Sequence, residues 1–113
     1  MCTRSQANEI LQRAYHACVP LFGGALRDAY LYGSYARGDF TPTSDVDILL
    51  TVAGDAADIS ACRRDVAAVA SALSLEYDIT VSLTVKPAEQ FDRFCTILPF
   101  YSNVITEGVR YAG

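Results

Sequence analysis

Three observations predict an α/β sheet with helices packed against it. Segments of helical and strand periodicity alternate along the chain in the order α-β-β-α-β-α. The 113 residues are half hydrophobic and about one-fifth charged, the composition of a compact folded chain rather than a disordered one. That length suffices for one core, and no repeat, linker or low-complexity tract divides it, so residues 1–113 are expected to form a single domain.

The first helix is read from "TRSQANEILQRAYHAC", where Ile10, Leu11, Ala14 and Cys18 recur close to helical period. Thr3 and Gln6 have capping-box spacing, and Pro20 with the Gly23 and Gly24 pair is expected to end the helix. "ALRDAYLY" reads as a strand running into Gly33; "SYARG" is at most a short turn of helix, and "DFTPTS" is a loop. "DVDILLTV" is a strand with branched residues in register. "DAADISACRRDVAAVASALSL" is the strongest helix, with one apolar stripe of Ile59, Cys62, Val66, Val69, Ala70 and Leu73. "DITVSLTV" alternates Ile79, Val81, Leu83 and Val85 against Asp78, Thr80, Ser82 and Thr84, a third strand that Lys86 and Pro87 are expected to stop. The tail, "AEQFDRFCTILPFYSNVITEGV", suggests two short helices broken at Pro99, with Phe91, Phe94, Phe100 and Tyr101 in the core.

Charge and cysteine usage narrow the function. A net charge of −4 offers no broad basic face, which argues against tight nucleic-acid binding; a nucleotide remains accessible if metal ions supply positive charge. No run approaches the ~18 apolar residues of a membrane span, and "MCTRSQANEI" has no signal-peptide core. Cys2, Cys18, Cys62 and Cys95 form no CxxC pair, so they are read as reduced thiols, the last three as small core hydrophobes, in a cytoplasmic protein. His16, alone of its type, lies far in sequence from any motif and is read as a helix-surface residue.

The chemistry concentrates in "GSYARGDFTPTSDVD". A phosphate-loop reading fails because Asp39 and Phe40 stand where Lys and Ser or Thr are needed. A calcium loop starting at Asp39 fails because Ser44 and Leu50 replace its Gly and Glu. Asp45 and Asp47, two apart on a predicted strand, would leave the same face roughly 7 Å apart at the backbone. Carboxylates so placed can converge on a pair of hard cations, as two-metal phosphoryl transfer requires. Gly33 lacks a Cβ and lets a phosphate approach the backbone, and Ser34 adds a hydroxyl and an N–H at the start of a short helix.

Gly-Ser, ten residues and then Asp-x-Asp resembles the signature of the polymerase-beta nucleotidyltransferase superfamily. The small size, the "GSYARG" variant and the ending "PFYSNVITEGVRY" look most like its minimal, MNT-type branch, encoded beside HEPN-domain partners as toxin–antitoxin pairs. The resemblance implies a small mixed sheet flanked by helices. It implies Gly33 and Ser34 on the terminal phosphates of ATP, with Arg37 as a further phosphate partner or a solvated side chain. It also implies two Mg²⁺ ions on Asp45 and Asp47. The reaction would be transfer of AMP to an acceptor hydroxyl, typically a tyrosine of the HEPN toxin, with loss of pyrophosphate. A binding module that neutralises its partner by contact alone is the alternative; a small-molecule nucleotidyltransferase would need a second domain to hold its acceptor.

The superfamily usually carries a third carboxylate on a later strand. In "EYDITVSLTVKP" that position aligns with Ser82, which is neutral and weakly basic. Asp78, expected on the same strand face roughly 13 Å away, is the other candidate; either it is the third ligand or that ligand is missing. The apolar tail, with Phe100, Tyr101, Val104, Ile105 and Tyr111, is expected to supply a surface for a helical partner or a second copy of the chain.

Overall fold

A computed structural model of the chain describes residues 3–111, so Cys2 lies outside the described residues. Helix α1 (Arg4–Phe22) opens on the expected capping box: the Thr3 hydroxyl accepts from the Gln6 N–H at 3.1 Å, and Gln6 Oε1 accepts from the Thr3 N–H at 2.9 Å. Pro20 does not end α1, which runs on to Gly23. The main-chain bond it removes, to the His16 carbonyl, belongs to the exposed last turns, where water can replace it. A single 3₁₀ turn over Gly23–Ala25 leads into β1 (Leu26–Tyr32).

Helix α2 (Ser34–Arg37) and a loop connect β1 to β2 (Val46–Val52). The long helix expected over residues 55–75 is two helices, α3 (Ala56–Ala61) and α4 (Arg63–Tyr77). Cys62 separates them with φ −100° and ψ 5°, its thiol 3.3 Å from the Leu21 carbonyl of α1. Asp55 and Asp58 form a second capping box, so α3 has its own start signal. Strand β3 (Val81–Pro87), helices α5 (Ala88–Phe94) and α6 (Pro99–Glu107) and a short strand, β4 (Val109–Tyr111), complete the chain.

The four strands form one mixed sheet in the order β3-β2-β1-β4. Strand β1 is antiparallel to β2 and β4, and β2 is parallel to β3, the pair joined by α3 and α4 as a parallel connection requires. Lys86 and Pro87 pair with Thr51 and Val52 rather than stopping β3. Proline fits there because β3 is an edge strand, where a missing N–H costs no ladder bond. Strand β4 was not expected from the sequence; three residues are too few to show a period. Gly108 makes it possible, because any side chain there would run into the Val104 carbonyl.

One face of the sheet packs Ala29, Leu31, Val46, Ile48, Leu50, Val52 and Val81 against Ile10, Leu11, Ala14 and Cys18 of α1 and Leu73 of α4. The other packs Tyr30 and Leu49 against Phe91, Tyr101 and Val104 of α5 and α6. Cys18 is core as expected, whereas Cys62 and Cys95 are half-buried; all three are free thiols. Phe100, expected in the core, is 43% exposed. Among the described residues, no helix is long and apolar enough to cross a membrane.

Candidate active site

The site forms where β1 hands over to α2 beside the start of β2. Gly33 follows β1 with φ +74° and serves as the N-cap of α2, its carbonyl accepting from the N–H groups of Ala36 and Arg37, both at 3.1 Å. That turn presses the Gly33 backbone against β2: a Cβ placed on Gly33 would lie 2.6 Å from Oδ2 of Asp47. Glycine is therefore demanded twice, by a backbone conformation that L side chains avoid and by the carboxylate. Ser34 is the first residue of α2 and is half-buried beside them.

Asp45 immediately precedes β2 rather than lying within it, and Asp47 is the second residue of the strand. Asp45 is exposed and Asp47 half-buried. Burial raises the Asp47 carboxyl above its ordinary pKa, the charge of Asp45 raises it further, and the Arg37 guanidinium pulls it back. The two aspartates thus share one electrostatic neighbourhood, and among the described residues neither is ion-paired; Arg37, whose charge reaches Asp47, is itself paired with Asp39 and Glu107. Two hard carboxylates with unmet demand for positive charge suit Mg²⁺, which takes oxygen ligands and is commonly held by one or two carboxylates plus substrate phosphate.

Across the sheet, Asp47 is flanked by Tyr32 of β1 and Ser82 of β3 in direct register. Ser82 therefore occupies the position expected for a third carboxylate and brings a hydroxyl there. The Tyr32 phenol is pushed up by burial, lowered by its hydrogen bond with Thr84 and raised again by the Asp47 charge. Its ring meets Phe100 of α6 edge-on, centroids 5.4 Å apart. Tyr32 escaped the sequence reading although its position was accessible: it directly precedes Gly33, and an antiparallel pairing of the two motif strands brings it opposite Asp47.

Asp78 does not lie on β3, so it shares no strand face with Ser82. It caps the C-terminus of α4 in the left-handed conformation, φ 52° and ψ 47°, its N–H donating to the Ser74 carbonyl. Ser74 dictates this handover: its hydroxyl donates to the Ala70 carbonyl at 2.7 Å and accepts from the Val81 N–H at 2.9 Å, so the chain turns before β3 begins. Among the described residues there is no group of three or more His, Cys, Asp or Glu side chains that could hold a metal ion, and Asp45 and Asp47 stand as a pair.

Arg37 is exposed and ion-paired, with Nε 3.2 Å from Asp39 Oδ2 and Nη1 3.5 Å from Glu107 Oε2 of α6. The hydrogen bond that Arg37 donates to Asp39 is the main cause holding its pKa above the ordinary value. A phosphate at the site would compete with these two carboxylates for the guanidinium. His16 is an exposed residue of α1, its Nε2 2.8 Å from the Tyr111 hydroxyl of β4.

Comparison with known proteins identifies the family. The family model described as nucleotidyltransferase domain matches residues 6–110. Two proteins of Methanocaldococcus jannaschii named as protein adenylyltransferases are similar in sequence. One is 34% identical over 90 residues, covering 77% of this chain and 79% of the relative. The other is 42% identical over 52 residues, covering 46% of this chain and 50% of the relative. Among solved structures, a chain from a mutant of the MntA–HpeT toxin–antitoxin pair superimposes with a TM-score of 0.56 at 21% identity, over 95% of this chain and 73% of that one. A chain from another mutant of the same pair gives 0.54 at 25% identity over 94% and 71%. A toxin–antitoxin crystal structure with AMP-PNP gives 0.55 at 22% identity over 95% and 73%. Sequence family and fold agree: this chain belongs to the nucleotidyltransferase domain family.

Proposed function

We propose that the chain is a protein adenylyltransferase that moves AMP from ATP to a hydroxyl, a tyrosine of a HEPN-type toxin, and so acts as a cytoplasmic antitoxin. The observation that carries this reading is the contact geometry of Gly33 and Asp47: backbone without a side chain set directly against a half-buried carboxylate, with Asp45 beside it. The name of the Methanocaldococcus relatives and the toxin–antitoxin neighbours support the reaction and the partner class.

Asp45 and Asp47 would hold the two Mg²⁺ ions, which when bound supply charge neutralisation and in-line orientation of the phosphates. Gly33 and Ser34 would bind the terminal phosphates, Gly33 by leaving room and Ser34 through its hydroxyl and N–H. The acceptor oxygen bonds to the α-phosphorus as the bond to the β-phosphate bridge oxygen breaks, and pyrophosphate leaves. Ser82 beside Asp47 provides no carboxylate base, so the acceptor proton passes to solvent. General base catalysis is commonly worth about 10² to 10⁴ in rate, and turnover is correspondingly slow.

That same serine favours one second reading, a nucleotidyltransferase fold that neutralises its partner by contact alone. Incubating the chain with ATP, Mg²⁺ and a candidate HEPN-domain partner, then weighing the partner, separates the two. An added AMP mass that disappears in Asp47→Asn supports transfer. An unmodified yet bound partner supports contact alone.

A further inference from the structure

The outer edge of β3 is open. Main-chain groups alternate in direction along a strand: the Thr80 carbonyl accepts from Val46 of β2, while the Val81 N–H turns the other way to the Ser74 hydroxyl. By that alternation the N–H and carbonyl groups of Leu83 and Val85 point out from the sheet, past which no further strand lies among the described residues. A groove of about 560 Å³ follows this edge, lined by β3 from Leu83 to Pro87, by Ile59 and Val66 of the α3–α4 pair, and by Gln90 of α5.

The groove is basic, with Arg63 and Lys86 in its lining. Arg13, Arg27, Arg37, Arg93 and Arg110 are each ion-paired with a carboxylate, and Arg4 donates to the Ala36 carbonyl. Arg63, Arg64 and Lys86 have no carboxylate partner among the described residues; Arg63 and Lys86 line the groove, Arg64 follows Arg63 in α4, and no acidic side chain lines the groove. In a chain of net charge −4, two cations left unneutralised along one apolar-floored edge call for an anionic occupant. A second copy of the same edge would bring like charges together, which is unfavourable.

We propose that this groove binds an extended acidic segment of a partner polypeptide, added to the sheet as a strand on β3. Leu83 and Val85 exchange main-chain hydrogen bonds with it, its apolar side chains rest on Ile59 and Val66 on the face that Arg63 borders, and its carboxylates reach Lys86 on the opposite face. The added strand lies next to the strand that carries Ser82 and two strands from Asp47. Its use as the dock for the acceptor protein rests on the proposed transfer reaction; the binding itself does not.

The probe is a fluorescein-labelled eight-residue peptide of alternating Thr and Glu, followed by fluorescence anisotropy and amide hydrogen exchange. Saturable binding is expected, weakened at least ten-fold in the Arg63→Glu, Lys86→Glu double variant and absent for the Thr-Lys counterpart. Exchange at Leu83 and Val85 should slow in the complex, and a peptide with N-methylated amides should not bind. Asp45→Asn and Asp47→Asn should bind the probe unchanged, so failure of the transfer reaction leaves this result intact. No binding of the Thr-Glu peptide, equal binding of its N-methylated form, or displacement by inorganic phosphate alone would overturn the proposal.

Discussion

The backbone of Gly33 sits so close to Asp47 that a Cβ on the glycine would fall 2.6 Å from the carboxylate oxygen Oδ2. The Gly33→Ala variant therefore has to rotate the Asp47 side chain or open the β1–α2 turn, and it also pays for φ +74°, about 1–2 kcal/mol for an L residue. Expected are a melting temperature lower by several degrees and AMP transfer lower by about 10²-fold, because a misplacement of about 1 Å commonly costs that much. Thermal unfolding and single-turnover transfer with labelled ATP measure the two effects separately. Retained transfer in a folded Gly33→Ala protein would remove the glycine from the site.

Asp47 is held above its ordinary pKa, first by burial and then by Asp45. A carboxyl whose folded pKa exceeds its unfolded value costs nothing while both states are protonated. The cost grows as pH rises through the unfolded pKa and is complete above the folded one. Asp47→Asn should therefore melt a few degrees above the parent at neutral pH in the absence of metal, with the difference vanishing in acid. In the same variant, ATP binding measured by calorimetry should lose its dependence on Mg²⁺, whereas the parent should bind far more tightly with Mg²⁺ than with chelator.

Ser82 is in register with Asp47, while Asp78 caps α4. A carboxylate introduced by Ser82→Asp therefore stands beside the pair, and a ten-fold or greater rise in transfer rate is expected at saturating Mg²⁺. Asp78→Ala should leave the rate unchanged. Asp78→Gly should raise stability by about 0.5–1 kcal/mol, because glycine adopts φ 52° without the steric cost carried by aspartate. Loss of transfer in Asp78→Ala would restore that residue to the reaction.

Glu107 on α6 competes with any phosphate for Arg37. Removing the competitor in Glu107→Gln should tighten ATP binding several-fold, and Arg37→Ala should weaken it. Arg37→Ala should also push the Asp47 carboxyl further up, since that guanidinium is the cation lowering it; carbon-detected NMR titration of the side chain reads this directly. Unchanged affinity in both variants would leave Arg37 a surface ion pair.

Ile97, 68% exposed, precedes α6, and Ile105, 49% exposed, lies within it. Replacing both by Glu should leave the melting temperature within about 2 °C of the parent, since little is buried, yet release a HEPN partner in sedimentation velocity. A complex that survives the double change would move the interface elsewhere on the chain.

Much of this molecule is legible in one dimension. Alternation in "DITVSLTV" and the helical stripe through Ile10, Leu11, Ala14 and Cys18 mark an α/β chain, because a strand or a helix shows its buried face at a fixed period. Gly33, Ser34, Asp45 and Asp47 are recoverable because their chemistry is crowded into fifteen residues, a loop and its flanking strand ends. Local sequence misplaces features that depend on distant partners. Asp78 reads as strand until Ser74 takes the Val81 N–H and turns the chain. Cys62 reads as helix until its thiol meets the Leu21 carbonyl of α1 and its backbone leaves helical ψ, splitting α3 from α4. Val109 to Tyr111 becomes a strand only because β1 lends it a free edge. Strand order is of the same kind: that Ser82 lies beside Asp47, and that β3 ends the sheet with its edge uncovered, follows from pairings between residues more than 30 positions apart. Such pairings are chosen by how all the buried faces fit together, a property that no window of sequence contains.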